Sequence, residues 1–159
     1  MGCKLISLDT SSNSTGVAIF IDGILSRHFL IDLKKIKNTD ERIAEMVKQI
    51  YQIIIDEQPN IIVTEMTVVT RNAQAQRNLT MILGAIYGKC LGDNIWYHSF
   101  RPTEWRSLID TERKPSGRKR ENYKEWSRLV VEDLYEVKVD DDVSDAILLG
   151  RAYVNRFSK

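Results

Sequence analysis

The chain has 159 residues, with 23 basic against 22 acidic side chains and a formal net charge of +1. That length suits one domain spanning residues 1–159, since domains usually run to about 100–200 residues, and it lets roughly 70% of the extended-chain surface be buried. Apolar residues at 43% and charged residues at 28% exclude wholesale disorder, and no apolar run approaches the ~20 residues of a membrane span.

The N-terminal stretch MGCKLISLDTSS lacks the basic and apolar regions of a signal peptide. Ile6 stands where a myristoylation site needs Ser or Thr. Cys3 and Cys90 lie far apart, with no CxxC and no His cluster. They read as reduced thiols of a cytoplasmic protein, with no zinc site and no membrane partner.

In chain order, Lys4–Asp9 reads as a buried strand ending in a polar turn, Thr10–Ser14. Thr15–Asp22 and Ile24–Ile31 follow as strands, joined by an Asp22-Gly23 hairpin turn. From Thr39, a candidate N-cap, the period changes to that of a helix, with Ile43, Met46, Val47, Ile50 and Ile54 on one face until Pro59 stops it. Ile61–Val63 reads as a central strand parallel to the first. Arg71–Leu91 is a helix with Leu79, Ile82, Leu83 and Ile86 in a stripe, and Ile95–His98 a fifth strand.

A short helix over Thr103–Ile109 precedes a Pro/Ser/Gly loop. A helix over Arg120–Tyr135 follows, its buried face Trp126, Leu129, Val130 and Leu134. A last helix runs from about Asp141 to Phe157, with Val143, Ala146, Ile147, Leu149 and Ala152 turned inward. The order βββαβαβααα implies an α/β fold, one mixed five-stranded sheet flanked by helices.

Charge is unevenly placed. Arg113–Arg120 holds five basic residues and no acid, while the remaining 18 basic residues face 22 acidic ones, a net charge of −4. Arg113, Lys114, Arg118, Lys119 and Arg120 are therefore candidate phosphate contacts.

The acids form the other pattern. Asp9 and Glu65 each end an apolar strand, so parallel neighbours would deliver both carboxylates to the sheet edge where ligands bind in open α/β folds. Asp142 and Asp145 stand at i and i+3 on the last helix and share a face. N-capping accounts for Asp140 or Asp141 but not for Asp145, which shares a turn with Val143, Ala146 and Ile147. A carboxylate half-buried there needs a partner or a proton. Four carboxylates without a His cluster favour Mg²⁺ or Mn²⁺ over zinc. Two such ions ~3.5–4 Å apart would suit in-line displacement at a phosphodiester.

These segments resemble a known family. SLDTSSNSTGVAI around Asp9, IIVTEM around Glu65 and DDVSDAILLGRA around Asp142 and Asp145 are similar to RuvC-type Holliday junction resolvases, with the short bacteriophage branch, lactococcal phage versions included, nearest in pattern. The resemblance spans essentially the whole chain. It implies a ribonuclease H-like fold, a homodimer, the host cytoplasm if phage-encoded, and Mg²⁺-dependent nicking of two opposed strands of a four-way junction. It also implies that Asp9, Glu65, Asp142 and Asp145 are the metal-binding and catalytic acids, and that basic residues between the fifth strand and the last helix serve the active site, with Lys114, Arg118, Lys119, Arg120 and Lys124 as the candidates for binding DNA there. Asp9, Glu65 and Asp145 would position the attacking water, and Asp142 would complete the coordination or assist proton transfer.

Cellular members carry an aromatic wedge shortly after the glutamate, whereas Met66-Thr67-Val68-Val69 has none, so forks or other branched DNA are open as substrates. Nothing in the sequence points to a branch-migration motor as partner. Gly84 and Gly88 offer a helix face for a second copy of the chain. His98 reads as a satisfied structural residue. Two further readings stay open: a nucleotide-binding domain of sugar-kinase or actin-like type, because DTSSNSTG also resembles a phosphate loop, and a junction-binding protein without catalysis.

Overall fold

The chain opens with an antiparallel meander of Lys4–Thr10 (β1), Ser14–Ile21 (β2) and Ile24–Asp32 (β3). The computed structural model describes residues 2–158. The β2–β3 turn is the expected one: Asp22 and Gly23 both have positive φ, 51° and 80°, as a tight two-residue hairpin requires. Then come Thr39–Glu57 (α1), Ile61–Glu65 (β4), Ala73–Gly92 (α2), Trp96–Phe100 (β5), Pro102–Ser107 (α3), Arg120–Tyr135 (α4) and Asp141–Phe157 (α5).

The five strands form one mixed sheet in the order β3-β2-β1-β4-β5. β1 pairs antiparallel with β2 and parallel with β4, Leu5 opposite Ile61 through Leu8 opposite Thr64; β4 pairs parallel with β5. Alternation along the strands divides the core in two. Ile6, Leu8, Val17, Ile19 and Ile62 pack against Met46, Ile50 and Ile54 of α1 and Ile82 and Ile86 of α2. Leu5, Ala18, Phe20, Val63 and Phe100 pack against α3, α4 and α5 through Trp105, Trp126, Val130, Ala146 and Ile147.

Three local expectations are corrected. The α1 N-cap is Asn38, not Thr39: Asn38 is extended (φ −70°, ψ 124°) and its side chain accepts from the Glu41 amide at 3.0 Å, leaving Thr39 as the first helical residue. On α4, Leu129 and Leu134 are only half-buried, because the helix turns Trp126, Ser127, Val130 and Val131 inward. On α2, Leu79 lines a cleft, leaving Ile82 and Ile86 to face the sheet. Among the described residues no helix is long and apolar enough to cross a membrane.

Candidate active site

Parallel pairing of β1 with β4 decides where two acids go. Leu8 lies opposite Thr64, so Asp9 and Glu65 follow side by side at the C-terminal ends of their strands. By strand alternation both share the face of Leu5 and Val63, the face covered by α5. α5 is fixed there by close approach. A Cβ on Gly16 would collide with the Asp142 backbone carbonyl, and one on Gly150 with the Phe20 ring and Ser7 Oγ. Ser7 donates its hydroxyl to the Ala146 carbonyl at 2.6 Å. Asp140 caps α5, accepting from the Val143 amide at 2.9 Å, which frees Asp142 and Asp145 from that task.

The four acids share one electrostatic environment. Burial raises the Asp9 carboxyl well above its ordinary pKa, and Asp145, Glu65 and Asp142 raise it further, offset in part by Lys124. Burial pushes Asp145 up to about 7; the Ser127 hydroxyl and Arg106 pull it down, while Glu65 and Asp142 add to the rise. Glu65 is also raised by burial, against the Trp105 indole, Arg106 and Arg120. Two of the acids are held by protein donors. Trp105 Nε1 donates to Glu65 Oε2 at 2.5 Å, and the Ser14 hydroxyl donates to Asp142 Oδ2.

Asp9, Glu65 and Asp142 line an open cleft of about 810 Å³, with Asp145 one turn further along α5, outside its lining. One wall is the β1–β2 loop, held by Arg42, which donates to the Ser12 carbonyl at 3.0 Å. The segment from Met66 to Gln76 forms another, with exposed Met66, Val68 and Val69. The N-terminal halves of α4 and α5 complete it. Of the basic candidates, Arg120 and Lys124 enter this cleft; Lys124 pairs with Asp141 at 3.2 Å. Arg113 and Lys114 line a second, smaller cleft, with Arg113 paired to Asp133 at 2.8 Å. Arg118 and Lys119 are exposed at the α4 N-terminus. Lys34 and Arg128 also line the main cleft, and Arg106 lies near Glu65 and Asp145. All three were missed from sequence because they lie outside the basic run.

Among the described residues no three Asp, Glu, His or Cys side chains stand already converged as a metal site. Glu65 and Asp142 are instead turned to Trp105 and Ser14. The donor set nonetheless fits a hard divalent cation. It offers only carboxylate oxygens, and Asp9 is desolvated among three like-charged neighbours, a cost that a cation removes.

His98 departs from expectation. Its ring packs edge-on against Phe100, Tyr153 and Phe157, but its buried Nε2 has no hydrogen-bond partner, so it is held by aromatic packing. Both cysteines are free, Cys3 exposed and Cys90 buried.

No protein-family model matches the sequence, and neither does any curated protein. Solved structures do match in shape. RuvC of T. thermophilus, in complex with Holliday junction substrate, aligns with a TM-score of 0.73 at 11% identity, over 96% of this chain and 93% of that one. The Fowlpox virus resolvase, with substrate Holliday junction DNA, aligns at 0.66 and 16% identity over 98% and 99%. The yeast mitochondrial Holliday junction resolvase aligns at 0.61 and 12% over 96% and 78%. The mixed five-stranded sheet flanked by helices is thus the ribonuclease H-like fold of the RuvC-type resolvases.

Proposed function

We propose that this chain is a metal-dependent endonuclease, a single nuclease domain that nicks phosphodiester bonds at Holliday junctions. The observation that carries the reading is the gathering of Asp9, Glu65, Asp142 and Asp145 where β1, β4 and α5 meet, beside a cleft walled by Arg120, Lys124 and Arg128. Its support is the fold, which matches two junction-bound resolvases over nearly their full length. Within that family we assign the chain to the short phage branch, on the pattern of its sequence around Asp9, Glu65 and Asp142.

The four carboxylates would hold Mg²⁺ or Mn²⁺, two ions per site, which lower the pKa of water and offset charge on the phosphoryl oxygens. Trp105 orients Glu65, and Ser14 orients Asp142. Arg120 and Lys124 bind the flanks of the cut strand, and each phosphate contact contributes about 0.9 to the log–log salt slope. Lys124 also balances part of the charge at Asp9. The working unit is a homodimer, one site for each of two opposed strands, with the exposed Met81, Tyr87 and Leu91 of α2 as the shared face. Gly84 and Gly88 have open space beside them.

The Met66–Val69 loop favours a second reading with the same chemistry. Its exposed side chains are aliphatic, with Val69 92% exposed, so they fill a junction less than an aromatic ring would. Forks and flaps then join the substrates. The test of the shared chemistry is Asp145→Asn. Cleavage falls by ~100-fold or more, as expected for loss of a metal ligand, while junction binding stays within about twofold because no phosphate contact is removed. Parent-like cutting by Asp145→Asn would remove the acids from the chemistry.

A further inference from the structure

A second cleft, of about 330 Å³, opens beside α3 and is lined by Arg106, Arg113, Lys114, Pro115, Tyr123 and Trp126, with no acidic side chain. Its wall is fixed where Trp126 Nε1 donates to the Arg113 carbonyl at 2.8 Å. Arg113 is already paired with Asp133, but among the described residues neither Arg106 nor Lys114 has an ion-pair partner. Arg106 is also preorganised. Its guanidinium lies over the Trp105 ring at 5.1 Å and the Tyr123 ring at 4.5 Å. Its buried Nε has no hydrogen-bond partner. Buried donors are rarely left unpaired, and a flat, stacked guanidinium matches the paired oxygens of a phosphate.

Arg106 ties this cleft to the acids. It follows Trp105, the donor to Glu65, and its charge reaches Glu65 and Asp145. The cavity is at the small end of ligand pockets, and Pro115, Tyr123 and Trp126 give it apolar walls suited to a sugar or base edge. We propose that this second cleft seats one nucleotide of the cut strand, close to the scissile bond, with its phosphate held by Arg106 and Lys114. The inference rests on the nuclease reading and adds to it a subsite separate from the acid cleft.

The test is a scan of single methylphosphonates, each removing one phosphate charge, across the four nucleotides either side of the branch in a four-way junction. Binding is measured in Ca²⁺ for the full-length parent, Lys114→Ala and Arg106→Gln, and cutting of the unmodified junction is read in Mg²⁺. Lys114 is exposed, so Lys114→Ala carries the test even if Arg106→Gln disturbs packing. One position should weaken parent binding about tenfold, the scale of one charged hydrogen bond, and weaken each variant only about threefold at that position, because one of the two contacts remains. The same penalty in parent and Lys114→Ala at every position overturns the subsite. So does micromolar thermal stabilisation by deoxycytidine monophosphate that Lys114→Ala abolishes, which assigns the cleft to a free nucleotide. Coupling without cutting overturns the nuclease reading and keeps the strand subsite; cutting without coupling does the reverse.

Discussion

Asp145 carries two opposing demands, since burial and the neighbouring Glu65 and Asp142 favour its proton while a cation would favour its loss. In the folded protein this carboxyl titrates at about 7, whereas in an unfolded chain an aspartate loses its proton near pH ~4. The folded state therefore binds the extra proton between those limits. The stability tied to Asp145 is full below the unfolded value, falls as pH rises toward 7, and is level above it. Asp145→Asn removes that slope. The metal-free variant is expected to be more stable than the parent at pH ~8 by up to about 4 kcal/mol, with the gap closing toward pH ~4. Urea unfolding at several pH values measures this, and equal slopes would contradict it. Mg²⁺ should then stabilise the parent much more than the variant.

Helix α5 sets the site because it lies almost in contact with β2. Gly16→Ala places a methyl group against the Asp142 carbonyl, with backbone rather than a flexible side chain in its way. Loss of about 2 kcal/mol or more is expected, together with a displaced α5 N-terminus. Gly84→Ala, with open space at its Cβ, should be neutral or gain up to ~1 kcal/mol of helix propensity in the monomer. Thermal melts of the two variants distinguish a site-building glycine from a surface one. At this scale much was legible in advance. The change from alternating to helical spacing at Thr39 revealed the element order, and apolar runs ending in Asp9 and Glu65 placed the acids. Helix ends and faces were less legible, because Asn38 competes with Thr39 for the cap and Ser127 displaces Leu129 from the α4 interior. The site's supporting residues left no local signal. Trp105 reaches Glu65 across 40 positions, and Ser14 reaches Asp142 across 128. Only the packing of α3 and α5 on the sheet brings them together.

For the whole molecule, the proposed cutting of two opposed strands of one four-way junction calls for two active sites, and so for a dimer. Tyr87→Glu together with Leu91→Glu, both on the exposed side of α2, should yield a folded monomer by sedimentation equilibrium, one that nicks single strands but loses paired cuts. Retained dimers would move the interface elsewhere. The central claim is tested most directly by cleavage of end-labelled four-way junction, Y-fork and linear duplex DNA, in Mg²⁺ or EDTA, with Asp9→Asn alongside. The account predicts Mg²⁺-dependent paired nicks at the four-way junction, weaker cutting of the fork, an intact linear duplex, and no cutting by Asp9→Asn or in EDTA. Junction binding with no cutting in Mg²⁺, or cutting that survives Asp9→Asn, would contradict it.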